Sequence, residues 1–281
     1  MKVINSSAEI QSYCKSARDA GKAIGLVPTM GFLHEGHLSL MRRARSENDL
    51  LVVSIFVNPT QFGPNEDYKA YPRDFRRDSE LASEVGVDVI FAPTPEDMYP
   101  GGYATFVNVE RITDKMCGAS RPEHFQGVTT IVAKLFNLVQ PHKAYFGQKD
   151  AQQTIVIKRM AADLNFDIEI VVLPTIREED GLAMSSRNRY LNAEERQAAL
   201  VLSKSLGTAE SLVKSGERDA AEISRKMRAL IEAEPLATID YISIVQADTL
   251  DDLNIVAGNA LIALAVFIGK TRLIDNLVLD V

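Results

Sequence analysis

The chain is 281 residues long, with 46% hydrophobic and 25% charged residues and a formal net charge of -7. That length suits about two domains, and the composition excludes a disordered or collagen-like chain. The acidic balance argues against wrapping a nucleic acid, whose affinity comes largely from Lys and Arg on its phosphates.

The longest strongly apolar run, 260–268, is far shorter than the ~20 residues of a membrane span. The N-terminal MKVINSSAEI turns polar at once instead of continuing as a signal peptide, so a cytoplasmic protein with no membrane partner is expected. Cys14 and Cys117 are too few and too far apart for a disulfide framework or a four-ligand zinc site and read as two reduced thiols.

In chain order, Ser6 and Glu9 have capping-box spacing ahead of an amphipathic helix that stops at Gly21. Residues 23–28 then read as a short buried strand, followed by a predicted helix from Gly36 to Asn48. The run at 50–57 is apolar throughout and rich in β-branched residues, the pattern of a strand covered on both faces of a parallel sheet. Asp74 stands where it would cap a helix ending near Gly86, and 87–92 is the next strand. Helix 124–140, strand 143–147, helix 150–164 and strand 167–174 complete the series.

Strands alternating with helices imply right-handed crossovers and a Rossmann-like, doubly wound α/β sheet, which takes ligands at the carboxyl ends of its strands. Beyond residue 190 the pattern changes. Two helices, 192–215 and 219–234, precede three strands at 239–245, 260–268 and 272–279, an α+β unit. A division into 1–176 and a smaller lid domain at 177–281 is expected.

Five loop segments carry residues suited to chemistry. At 28–37, Pro-Thr-Met-Gly-Phe-Leu-His-Glu-Gly-His leads from a strand into a helix, and two histidines three apart fall beside the unpaired N–H groups of the helix start. Donors, partial positive charge and close backbone approach at Gly31 and Gly36 make this a phosphate site. A metal site is the first competitor, although His34-Glu35-Gly36-His37 is one residue short of the HExxH spacing of zinc proteases. Histidines that merely cap the turn are the second.

Phe-Gly-Gln-Lys-Asp-Ala-Gln-Gln at 146–153 offers Lys149 for phosphate, Asp150 for a helix cap or ribose hydroxyls, and Gln153 in the first turn. Gly-Leu-Ala-Met-Ser-Ser-Arg-Asn at 181–188 brings two hydroxyls and a guanidinium together, which suits a polyphosphate or a simple Ser-rich turn. Within 58–67, Gln61 provides an uncharged donor and acceptor for a hydroxyl-bearing substrate. Arg121 and His124 open the helix at 124, a weak signal alone.

In this order, and over essentially the whole chain, these motifs resemble the pantothenate synthetase family. The two-histidine loop is shared more widely, among nucleotidyltransferase-like Rossmann proteins that include class I aminoacyl-tRNA synthetases. The resemblance implies an AMP-forming ligase that joins pantoate to β-alanine through a pantoyl-adenylate, with ATP as co-substrate and Mg²⁺ carried on the triphosphate. It implies an ATP contact along Met30, Gly31, Phe32, Leu33, His34, Glu35, Gly36 and His37, with His34, His37 and Lys149 acting in catalysis. Gly147, Gln148, Lys149 and Asp150 would hold ribose and phosphate, Ile176 would touch adenine, and Met184, Ser185, Ser186 and Arg187 would close over the outer phosphates. Gln61 and Gln153 would bind pantoate. No metal ligand from the protein is implied, and a homodimer is.

Another adenylyltransferase of the same fold and a nucleotide-binding regulator are the competing functions. The short, acidic chain lacks the basic extension expected of a tRNA-binding enzyme.

Overall fold

The computed structural model describes residues 1–64 and 66–281; Asn65, within the 58–67 loop, lies outside the described residues. By its internal contacts the chain forms two compact units. The first comprises Met1–Thr113, Arg121–Gly147 and Gln152–Pro174, and the second comprises Asp114–Ser120, Gln148–Ala151 and Thr175–Val281. The sequence suggested a single cut at 176/177. The long segment of the second unit begins at Thr175, and the unit also takes Asp114–Ser120 and Gln148–Ala151, two short segments that precede the expected cut.

The first unit is built on β1 (Lys2–Ile4), β2 (Ile24–Thr29), β3 (Leu50–Ile55), β4 (Val89–Phe91), β5 (Lys143–Gly147) and β6 (Glu169–Leu173). They form one parallel sheet in the order β1-β4-β3-β2-β5-β6. Its longer helices are α1 (Ser7–Asp19), α2 (Glu35–Glu47), α3 (Phe75–Glu84), α4 (His124–Val139) and α5 (Ala151–Asp163).

From β2 the chain steps one way to β3 and β4 and later the other way from β5 to β6, so the strand order reverses between β2 and β5. Right-handed crossovers in opposite directions place the helices that follow β2 and β5 on opposite faces of the sheet, and folds of this type take ligands at the carboxyl ends of their strands. β1 is an edge strand that the polar N-terminal sequence concealed. Leu51, Val53, Val27 and Ile90 from the sheet pack with Leu33, Leu38, Met41 and Ala44, all at least nine-tenths buried.

Two expectations about helices are corrected. Ser6 makes no side-chain cap to α1. The Asp97 carboxylate, distant in sequence, accepts from the Ser7 N–H at 3.0 Å and from its hydroxyl, so the first N–H of α1 is served from outside the expected box. The segment 192–215 is two helices, α6 (Ala193–Ala198) and α7 (Leu200–Lys214), the first capped by a reciprocal Asn192–Glu195 box.

The second unit continues with α8 (Ala220–Glu232) and the antiparallel strands β7 (Ala237–Gln246), β8 (Asn259–Ile268) and β9 (Thr271–Asp280). Central β8 is the apolar 260–268 run, and Ile262, Leu264 and Val266 pack with Leu206, Ile223 and Met227 of the helices.

The carboxyl end of α2 is fixed to the sheet by polar contacts. Asn48 Nδ2 donates to the Ala44 carbonyl at 2.7 Å and to the Tyr145 hydroxyl at 2.8 Å, and that hydroxyl donates to Glu47 at 2.8 Å. Gly25 leaves the space for this arrangement, since a Cβ there would stand 2.6 Å from Asn48 Nδ2.

The Tyr145 hydroxyl holds the Glu47 carboxyl down at about 2, against burial and with help from Arg43 and Lys143. A carboxyl lowered in this way stabilises the fold fully above its unfolded value of 4.5 and loses that contribution as pH falls towards about 2. Tyr145→Phe therefore costs about 1 kcal/mol at pH 7. The gap to the parent narrows at pH 3, as urea unfolding at the two pH values will read; a gap constant with pH would reject the coupling.

Candidate functional site

β2 runs out at Thr29 into a turn with two successive left-handed residues, Gly31 at φ +80° and Phe32 at φ +50°. Glycine enters that region freely, but phenylalanine does so only if neighbours hold it there. The holding group is Asp78 of α3, 1% exposed, whose two oxygens each accept at 2.7 Å from the N–H groups of Phe32 and Leu33. Burial raises the Asp78 carboxyl above its usual range against the opposing pull of those N–H groups. Arg77 donates to the Leu33 carbonyl at 2.8 Å and lies over the Phe32 ring at 5.3 Å. At the start of the turn, the Thr29 hydroxyl accepts from Gly31 N–H at 3.1 Å and donates to the Ser54 carbonyl at 2.7 Å.

The turn delivers His34 to the N-cap of α2 and His37 to its third position. His34 Nδ1 accepts from the Gly36 N–H at 3.2 Å, and His37 Nδ1 accepts from the His34 N–H at 3.4 Å. A ring nitrogen that accepts carries no proton, so both neutral rings are protonated at Nε2. The rings lie 4.1 Å apart, and Gly36 must be glycine, since a Cβ would come within 2.9 Å of the His34 ring. Capping thus occupies Nδ1 of each ring and leaves the ring N–H at Nε2. Leu33 is fully buried, and Glu35 pairs with Arg42.

Gln61 follows β3 in a short 3₁₀ turn, Pro59–Gln61. Its Nε2 donates to the Met30 sulfur at 3.1 Å, and its Oε1 accepts from Asn58 Nδ2 at 3.2 Å, which brings two expected site residues together. Asn58 is 1% exposed; its Nδ2 also reaches the Gly127 carbonyl at 3.0 Å, and its Oδ1 accepts from Thr60 and Tyr99. Burial pushes the Tyr99 hydroxyl up to about 12, so it stays a donor.

From the other side His124 Nδ1 meets the Gln61 carbonyl at 2.8 Å and its Nε2 meets Arg121 at 3.1 Å. A carbonyl only accepts and arginine only donates, so His124 is protonated at Nδ1. Burial works to raise the Glu66 carboxyl, but the Arg121 fork, helped by the Gly63 backbone and by His124, holds it below its usual range. Gly127 is required as well, since a Cβ there would stand 2.4 Å from the Thr60 carbonyl oxygen. Gln153 lies half-buried in the first turn of α5.

Lys149, Gln148 and Asp150 form a single 3₁₀ turn within the second unit, with Lys149 Nζ 3.6 Å from Asp150. Asn276 of β9 donates to the carbonyls of Gln148 at 3.0 Å and Lys149 at 2.9 Å, and Gln148 Nε2 returns a bond to its Oδ1 at 3.0 Å.

Ile176 and Met184 face each other across a tight turn, with Met184 N–H on the Ile176 carbonyl at 3.0 Å and Gly181 at φ +94°. Ser185 Oγ accepts from Arg187 N–H at 3.2 Å, and Ser186 is buried. Among the described residues no group of three or more His, Cys, Asp or Glu side chains is arranged to hold a metal ion.

Asn58, Asp78 and Asn276 are structural members of these sites that the sequence did not single out, whereas Arg121 and His124, a weak signal there, hold the Gln61 backbone. Asp78 had one available signal: it shares a helical face with buried Ala82, so its carboxylate occupies a core position.

A profile of the family described as Pantoate-beta-alanine ligase matches residues 2–278. A pantothenate synthetase of Moorella thermoacetica is 59% identical over 281 residues, covering 100% of this chain and 99% of that one. One from Acetivibrio thermocellus is 58% identical over the full length of both. Among solved structures, the pantothenate synthetase of Thermus thermophilus superposes with a TM-score of 0.93 at 48% identity, covering 99% of each chain. The pantoate-beta-alanine ligase of Francisella tularensis, solved with beta-gamma ATP and β-alanine, gives 0.81 at 36% identity over 99% of this chain and 97% of that one.

Asp78→Asn leaves one of the two turn amides facing an NH₂ group and costs about 1–3 kcal/mol. The amide hydrogens of Phe32 and Leu33 are then expected to exchange faster while those of β3 keep their protection, measured by hydrogen exchange with NMR detection. Unchanged exchange at both amides would show that the turn stands without the carboxylate.

Proposed function

Because this chain belongs to the pantoate–β-alanine ligase family, we propose that it joins pantoate to β-alanine with cleavage of ATP to AMP and pyrophosphate. The observation that carries the chemical reading is the pair of imidazoles at the start of α2, each with Nδ1 occupied by a backbone N–H and Nε2 protonated.

The pantoate carboxylate attacks the α-phosphorus, the bond to the β-phosphate oxygen breaks, and pyrophosphate leaves. The amine of β-alanine then attacks the acyl carbon of the adenylate, loses a proton, and AMP departs. No enzyme nucleophile is needed. The protein's part is to orient reactants and stabilise charge on the phosphates.

In this reading the His34 and His37 Nε2–H groups donate hydrogen bonds to phosphate oxygens beside the positive end of the α2 dipole, and His37 stabilises the charge that develops on the departing pyrophosphate. Met30, Gly31 and Gly36 contact ATP through the same turn. Phe32 and Leu33 contribute by holding the turn's shape, because their N–H groups are bound by Asp78. Gly147, Gln148, Lys149 and Asp150 serve ribose and phosphate, Ile176 serves adenine, and Met184, Ser185, Ser186 and Arg187 serve the outer phosphates as the closing loop of the lid domain. Gln61 and Gln153 hydrogen-bond pantoate, with Gln61 held at both ends of its carboxamide.

Mg²⁺ enters as part of the substrate, on the triphosphate, in keeping with its preference for phosphate oxygens and retained waters over an all-protein cage. A cytoplasmic homodimer completes the proposal; light scattering at twice the chain mass would support the dimer and monomer mass would reject it.

The test of function is pantothenate formation from pantoate, β-alanine and ATP with Mg²⁺, in which ATP is consumed only when pantoate is present. Absence of product sinks the reading. His37→Ala lowers kcat by at least ~100-fold, as expected for loss of a transition-state donor or acid, with a smaller change in the KM for pantoate. A near-normal kcat would remove His37 from the chemistry.

A further inference from the structure

A lysine that serves a phosphate is only as well placed as the backbone that carries it, because its ammonium ends a flexible four-carbon stem. Lys149 stands on a single 3₁₀ turn, Gln148–Asp150. Such a turn lacks the repeated bonds of a longer helix, so outside contacts must set its geometry.

Those contacts come from the last strand of the chain. Asn276 is 5% exposed on β9 and uses its whole carboxamide on this turn: both Nδ2 hydrogens go to the carbonyls of Gln148 and Lys149, and Oδ1 accepts from the Gln148 side chain. The strand is itself held at this point. Asp275, 2% exposed, accepts from the Asn276 N–H at 2.8 Å and binds the two Nη atoms of Arg177 at 2.6 and 3.0 Å. Arg177 also donates to the Gly181 carbonyl at 3.0 Å, within the turn that leads to Met184–Arg187.

We propose that Asn276 is a positioning residue for Lys149: its carboxamide fixes the Gln148–Lys149 backbone so that the ammonium is presented to the ATP phosphates. The inference rests on the reading of Lys149 as a phosphate ligand. A carboxamide suits the task because it grips carbonyls with neutral donors and adds no charge beside the ammonium. Alanine at 276 leaves two carbonyls and the Gln148 amide without their partner, so the turn relaxes and the lysine loses its fixed origin.

The test is a double-mutant cycle on the full chain, with the ATP KM measured by pantoate-dependent pyrophosphate release. Asn276→Ala raises the ATP KM about tenfold, as expected when half-buried carbonyls lose their donor, and leaves the pantoate KM within about twofold. In a Lys149→Ala background the same substitution changes the ATP KM less than about twofold, because no ammonium remains to be placed. An equal factor in both backgrounds, or a parallel rise in both KM values, overturns the inference and assigns Asn276 to fold maintenance alone. If Asn276→Ala does not fold, Asn276→Ser is read by the same criteria. Lys149→Ala with the parent's ATP KM would remove the underlying reading of Lys149 and this inference with it, whereas a raised KM with additive effects removes this inference only.

Discussion

The site in the first unit depends on one carboxylate buried on the core face of α3, that of Asp78. The turn after β2 must reverse direction within a few residues to start α2 beside the sheet, and it does so through left-handed Gly31 and Phe32. A backbone of that shape turns consecutive N–H groups the same way, and two donors buried together call for an anion. Asp78 supplies it from α3, so the helix that follows β3 fixes the loop that follows β2. Burial works against the charge and the N–H groups work for it, a balance that makes the turn sensitive to any loss of either amide bond.

With the turn fixed, the remaining placements follow from the strand order. β2 and β5 are neighbours at the reversal, so the loops leaving them begin at the same edge of the sheet. α2 starts there with the partial positive charge of its dipole, and the two histidines occupy its N-cap and third position. Their Nδ1 atoms satisfy backbone donors, which selects the tautomer without a buried acid next to the rings. Gln61 reaches the same loop from β3, held by Asn58 on one side and by the Arg121–His124 pair on its backbone. Neutral carboxamides and imidazoles therefore do most of the positioning here, and the charged groups among them are paired.

The α/β alternation, the late switch to an antiparallel sheet and the loops at strand ends were all legible in the sequence, because each rests on local periodicity and on residue types with a narrow range of uses. His34, His37, Gln61, Lys149 and Arg187 could be singled out for the same reason. Asp78 was hidden inside Arg-Arg-Asp-Ser-Glu, which reads as a solvated helix face, and Asn276 inside a strand of mixed polar and apolar residues. Their roles are set by partners 46 and 128 residues away, information that no window of local sequence contains. The expected Ser6–Glu9 capping box failed in the same way, since Asp97, 90 residues on, supplies the acceptor at that helix start. Residues that act on a ligand are advertised by their own chemistry; residues that hold them are advertised only by the fold.

The net charge of -7 illustrates the same separation of scales. Many of the carboxylates stand in pairs one helical turn from a cation, as in Arg76–Glu80, Arg159–Asp163, Lys214–Glu210 and Arg228–Glu232, where opposite charges cancel within a few ångströms. Beyond the roughly 8–10 Å screening length of physiological salt, what remains of the excess has little hold on a bound group. A phosphate at the start of α2 would instead meet a helix end and two imidazole N–H donors. The local field and the donor geometry decide which anion such a chain can take, so an acidic sum and an affinity for a triphosphate are compatible.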